Sequence, residues 1–145
     1  MLLLALALAC GRKTIVKAPE LVAPARIDNL TAANAVEGIQ LSWRRPERYA
    51  DGSQMYDLGS FHVERGVGSE VFAPVHTVEV TDRERFQQER RFGWTDTDTV
   101  LGQTYRYRVV SETTDGYVSQ PSNVAILERA QPSPTPSPAR TPTPR

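Results

Sequence analysis

The chain is poor in the residues that most soluble chemistry depends on. Its 145 residues include one cysteine and two histidines, and its charges cancel, with 17 Lys+Arg against 17 Asp+Glu. A single cysteine, Cys10, rules out a disulfide within the chain. His62 and His76 have no second metal ligand at a helical or turn spacing, so a zinc site is not expected. Zero net charge gives no electrostatic basis for binding nucleic acid. No glycine-rich phosphate loop and no nucleophile elbow is present. Asp96 and Asp98 form a carboxylate pair, but threonines flank both, and a turn accounts for them more simply. The expectation is a protein with no catalytic residues, no metal and no cofactor. Long apolar runs are also missing: the one at Met1–Ala9 is far short of the ~20 residues a membrane-spanning helix needs.

That short run does have a reading. Residues 1–9, MLLLALALA, form an apolar h-region ending in a small residue before Cys10. Ala7-Leu8-Ala9-Cys10 resembles a bacterial lipobox, which implies that Cys10 is lipidated and begins the mature chain. Ala7 and Leu8 depart from the preferred leucine and small residue. No Lys or Arg precedes the run, so a start codon further upstream is expected. Residues 10–22 then read as an extended tether, with Pro19 inside it and Pro24 just beyond.

Period-two patterning dominates the middle of the chain. In Gly102-Gln103-Thr104-Tyr105-Arg106-Tyr107-Arg108-Val109, the residues Tyr105, Tyr107 and Val109 alternate with polar ones, as in a half-buried strand. Ile39, Leu41 and Trp43 do the same, and Trp43 is expected to anchor the core. Phe61 and Val63 face inward from a third strand, which turns His62 outward. Residues 71–80 contain Pro74 and read as an edge strand. Phe92 and Trp94 share one face of a further strand. Arg26–Leu30 is expected to be the first strand and Val124–Leu127 the last, with a hairpin turn at Asp115-Gly116 before it. Residues 81–91 are dense in charge of both signs and read as a solvated loop or one helical turn.

Seven short strands separated by turn signals point to an all-β, immunoglobulin-like sandwich. The Ile39/Leu41/Trp43 strand followed by Pro46, the Phe61/Val63 strand, Trp94-Thr95-Asp96, Gly102 with Tyr105-x-Tyr107-x-Val109, and Ser119-x-Pro121-Ser122 together resemble a fibronectin type III domain over residues 23–128. The resemblance implies a seven-stranded sandwich with Trp43, Trp94, Tyr105, Tyr107 and Val109 in its core. It also implies a tyrosine corner at Tyr105, whose hydroxyl returns to nearby backbone. Replacing Tyr107 by Phe should then cost less than replacing Tyr105, provided the Tyr107 hydroxyl reaches solvent. Thr114-Asp115-Gly116 stands where an adhesive Arg-Gly-Asp would be, so an integrin-type role has no support.

Residues 129–145 form a tail in which Pro alternates with Ser or Thr, a composition that favours extended polyproline-like chain. The sequence as a whole reads as a lipid-anchored extracytoplasmic module that binds or scaffolds a protein in the cell envelope, with the outer membrane favoured where there is one. Two alternatives stand beside it: a carbohydrate-binding accessory module using Tyr49, Tyr56 and Tyr117, and a structural protein that touches the wall through its tail. Glycan and protein partners are not distinguished at this level.

Overall fold

The computed structural model describes residues 18–87 and 90–132. The expected signal peptide at 1–9, Cys10, and most of the expected tether and tail lie outside the described residues.

Two antiparallel sheets face each other. One has the order β1-β2-β5, formed by β1 (Thr31–Asn34), β2 (Ile39–Arg44) and β5 (Arg91–Asp96). The other has the order β4-β3-β6-β7, formed by β3 (Leu58–Val67), β4 (Ala73–Glu79), β6 (Thr104–Thr113) and β7 (Ala125–Glu128). A one-turn helix, α1 (Asp82–Phe86), links β4 to β5. Thr81 caps it: its hydroxyl accepts from the Glu84 N–H, and the Glu84 carboxylate accepts from the Thr81 N–H.

The alternation read from the sequence is the alternation that is buried. Along β2, Ile39, Leu41 and Trp43 point inward while Gln40, Ser42 and Arg44 point out. They meet Phe61, Val63, Tyr107 and Val109 from the opposite sheet. Trp43 packs edge-on against Phe61 at 5.4 Å, and Phe61 leans on Phe92 at 4.8 Å. These rings dominate the core, and truncating one to alanine costs ~3–5 kcal/mol. Trp94 sits at the rim instead: it is half-buried and stacks on His76 of edge strand β4, 4.6 Å away. Gly38 has no room for a side chain, since a Cβ would fall 2.0 Å from the Asp96 carbonyl oxygen.

The first strand is not where the sequence placed it. Arg26–Leu30 forms no strand, and β1 is Thr31–Asn34, paired with β2. Ile27 and Leu30 are buried as expected. They sit three residues apart, and an irregular segment, not a pleat, carries them in. Asn123 holds that segment by donating to the Leu30 carbonyl and accepting from the Leu30 N–H, both at 2.9 Å.

Side chains also finish the ladder on β6. β7 pairs only with Thr104–Tyr107. Beyond that point Ser122 Oγ accepts from the Val109 N–H and Ser119 Oγ from the Ser111 N–H, each at 2.9 Å. Ser119-x-Pro121-Ser122 is thus a substitute strand that keeps buried amides satisfied.

Candidate functional site

The two ends of the sandwich carry charge for different purposes. At the end formed by residues 35–38, 68–72 and 97–103, the charge is turned inward. Asp96 is 1% exposed. Arg65 Nη1 donates to its Oδ2 at 2.8 Å and the Tyr107 hydroxyl donates to the same oxygen at 2.8 Å. The Asp98 N–H reaches Oδ1 at 3.1 Å. Arg65 and Tyr107 belong to one sheet and Asp96 to the other, so the cluster staples the sandwich. Burial first, and then the hydrogen bond to Asp96, push the Tyr107 phenol far above its ordinary range. The Tyr107 hydroxyl therefore does not reach solvent. Tyr105 forms the expected corner, with its hydroxyl accepting from the Val100 N–H at 2.9 Å.

The opposite end is built from residues 45–57, 80–87 and 114–124, and the three tyrosines picked out in the sequence lie there. Tyr49 is half-buried against the core and donates to Asp57 Oδ1 at 2.7 Å. Burial and that hydrogen bond push its phenol up to about 12. Tyr49 is thus a brace for its loop, with its hydroxyl already committed. Tyr56 and Tyr117 are 64% and 38% exposed. The Thr114 N–H donates to the Asp57 carbonyl at 2.7 Å, which sets the loop carrying Tyr56 beside the hairpin carrying Tyr117.

Sequence reasoning missed a second feature of this end. Arg44 closes β2 and Arg91 opens β5, and the antiparallel register pairs them directly. The Arg45 N–H continues the ladder to the Arg90 carbonyl at 3.0 Å. Two Arg-Arg dipeptides therefore face each other. With Asn29 and Glu47 they line a cleft of about 310 Å³. Glu47 approaches Arg90 at 3.7 Å across the cleft. Arg45 is only 7% exposed, and its Nη1 is buried with no hydrogen-bond partner among the described residues. Burial lowers the pKa of its guanidinium; Glu47 opposes that shift and Arg85 adds to it. The signal was present in the sequence as two Arg-Arg pairs at the ends of strands that were both read correctly. Their opposition needed the register.

Among the described residues, no group of three or more His, Cys, Asp or Glu could hold a metal ion. His62, outward on β3, contacts Glu112, Thr77 and Ser60 within its own sheet face.

No family model and no curated protein sequence matches the chain. Solved structures do. An Fn3-like protein from Clostridium thermocellum is 21% identical with a TM-score of 0.53, over 77% of this chain and 98% of that one. Module A71 of human cardiac titin is 16% identical with a TM-score of 0.50, over 70% of this chain and 88% of that one. A β-1,2-glucanase from Parabacteroides distasonis is 15% identical with a TM-score of 0.51, over 74% of this chain but 13% of the enzyme. These likenesses establish a fibronectin type III-like sandwich.

Proposed function

We propose that this chain is a non-catalytic binding and scaffolding module of the cell envelope, anchored through a lipid on Cys10, which holds a protein partner with the loop end of its sandwich. The observation that carries this reading is the exposure of Tyr56 and Tyr117 on loops braced by Tyr49 and Asp57. Aromatic side chains on a rigid frame suit partner recognition, because they offer large contact area at small entropic cost. Cys10 supplies the address. A diacylglyceryl thioether carries more than one chain, which stable anchoring requires.

In-cell crosslinking of a tagged full chain, read by mass spectrometry, should return a recurrent protein partner. Tyr56→Ala and Tyr117→Ala should reduce its yield. Given a basic n-region for export, the protein should enter the detergent phase on partitioning, and Cys10→Ala should move it to the aqueous phase. An exported, cleaved protein that stays aqueous with an alkylatable Cys10 would refute the anchor. The same exposed tyrosines favour a second reading, a glycan-binding accessory module. That reading predicts retardation in gels containing soluble polysaccharide, lost in both tyrosine variants.

A further inference from the structure

We propose that the loop end of the sandwich docks on the surface of a phospholipid bilayer, with the exposed Phe86 ring of α1 seated among the headgroups and Tyr56 and Tyr117 facing the same surface. This goes beyond the partner-binding reading of that end and rests on the Cys10 anchor within it. A protein held by the tyrosines is then met at the bilayer surface.

The chain enters the domain at this end. A 3₁₀ turn at Pro19–Leu21 and the residues after it are pinned to the turn at residues 48–51. The Asp51 N–H donates to the Leu21 carbonyl at 3.3 Å, and the Ala25 N–H to the Arg48 carbonyl at 2.9 Å. Only residues 11–17 separate Cys10 from Ala18, the first described residue. Fully extended, that stretch spans about 29 Å. An acyl chain on Cys10 therefore holds the loop end close to the bilayer. The exposed aromatic side chains gather at the same end. Among the described residues these are Tyr56, Phe86 and Tyr117. Phe86 is 86% exposed, and no residue of α1 is buried, so packing within the domain gives its ring no role. Aromatic rings suit the boundary between water and acyl chains, where an apolar body and a polar edge are both accommodated.

Length and surface chemistry disfavour the other ways of resting on a bilayer. The far end also exposes apolar side chains, Val36, Val71, Val100 and Leu101, all aliphatic. β6 runs from that end to the loop end over 10 residues, about 33 Å. A tether of about 29 Å that leaves from the loop end is too short to lay the far end on the same surface. The broad faces lack the chemistry. The outer face of the β1-β2-β5 sheet presents Thr31, Gln40, Ser42 and Thr95. The outer face of the other sheet carries the ion pair Arg108–Glu64 and the contact between His62 and Glu112. Neither face offers an exposed aromatic ring.

The test uses the chain from Cys10 onward, which keeps every described residue. Its one thiol is joined to a maleimide lipid in phosphatidylcholine vesicles, and a soluble maleimide gives the undocked control. Chemical coupling supplies the anchor, so docking is read whether or not cells lipidate Cys10. Phe86→Trp places an emitter on α1, and Val71→Trp places one at the far end. Buried Trp43 and half-buried Trp94 give both the same background. On vesicles, Phe86→Trp should emit further to the blue than its soluble control. Phosphatidylcholine brominated on its acyl chains should quench about half of the added emission, since a docked side chain lies ~5–10 Å into the headgroup boundary. Val71→Trp should show neither effect. Tyr56→Trp repeats the reading from a second loop, and decides the matter if Phe86→Trp melts below the wild type. Phe86→Ser, added to Tyr56→Trp, should remove most of the quenching and leave the melting temperature unchanged. Reporters unquenched at both loop positions, equal quenching of Val71→Trp, or quenching indifferent to Phe86→Ser would overturn the proposal. A blue shift without quenching would also overturn it, by showing that a second copy covers this end. The two readings fail separately. A Cys10 that cells leave free, seen by detergent partitioning, removes the anchor and this proposal with it. Unquenched reporters on vesicle-coupled chain overturn the docking alone and leave the anchor and the partner-binding loops standing.

Discussion

Arg65 of β3 crosses the sandwich to hold Asp96 of β5 at 2.8 Å, joining the two sheets at the end away from the exposed tyrosines. The pair is built to be satisfied. Arg65 also donates to the Asp98 carbonyl at 2.8 Å, and its guanidinium lies over the Tyr105 ring. Removing one partner of a buried ion pair leaves the other uncompensated, which costs ~3–5 kcal/mol. Arg65→Met should therefore lower stability by about 3 kcal/mol in urea denaturation. Arg65→Met combined with Asp96→Leu should recover part of that loss, since neither charge is then orphaned. A double variant as unstable as the sum of the two single variants would show that the residues do not act as a pair.

Tyr107 donates to the same carboxylate oxygen, which reverses the ranking of the two tyrosines. Its hydroxyl bonds a buried charge, whereas the Tyr105 hydroxyl accepts from one backbone N–H. Hydrogen bonds to charged groups contribute ~1.5–3 kcal/mol and neutral ones ~1. Tyr107→Phe should cost about 2 kcal/mol and Tyr105→Phe about 1. Chemical denaturation of both variants checks the order, and equal losses would mean that Asp96 is satisfied without Tyr107.

Most of the sandwich was legible because its central strands carry period-two alternation with large apolar bodies, as in Ile39/Leu41/Trp43 and Tyr105/Tyr107/Val109. β1 was not, because Thr31-Ala32-Ala33-Asn34 has no such contrast and the apolar anchors Ile27 and Leu30 precede it. Arg65 and Asp96 were half-legible. Each falls at the inward parity of its strand, after Phe61 and Val63 and after Phe92 and Trp94. A charge at an inward position asks for a partner, but only the facing of the two sheets shows that the two charges answer each other. For the loop end, the tyrosines could be listed from the sequence alone. That Tyr49 braces its loop while Tyr56 is exposed depends on Asp57, which no periodicity marks.

Alkaline pH should weaken the fold through Tyr49 and Tyr107. Both phenols are raised above the ordinary value of 10.0, Tyr49 to about 12, so the folded state holds these protons more tightly than the unfolded state. Their contribution is complete below the unfolded pKa and is lost as pH climbs through the folded one. For Tyr49 the window is pH 10 to about 12. Stability should fall across it in the wild type, and less steeply in Tyr49→Phe. Absorbance at the tyrosinate band should show one late ionisation missing from that variant. Identical alkaline slopes would show that the Tyr49–Asp57 contact does not persist in solution.

The ends of the domain give the final prediction, because the ordered contacts pass the limits of residues 23–128. Arg129, assigned by sequence to the tail, is 6% exposed. Its guanidinium donates to Asn34 Oδ1 at 3.3 Å, the Val36 carbonyl at 3.2 Å and the Ala130 carbonyl at 2.6 Å. Its backbone bonds Gly102 and Gln103 on the neighbouring turn, at 2.8 and 2.9 Å. At the other end, the Asp51 N–H donates to the Leu21 carbonyl at 3.3 Å. A fragment of residues 23–128 removes the arginine that ties β1 to the turn before β6, and leaves Asn34 and the Val36 carbonyl without their donors. Asn34 and Val36 are open to water, so the cost is that of the lost hydrogen bonds and of the packing of Arg129 itself, at ~1 kcal/mol per bond. A fragment of residues 18–132 should therefore melt cooperatively and be more stable than 23–128 by about 2 kcal/mol. Within the longer fragment, Arg129→Ala should account for most of the difference. Matched thermal melts by circular dichroism decide it. Equal melting temperatures for the two fragments would mean that the Arg129 contacts contribute nothing to the fold and that the boundaries read from the sequence suffice.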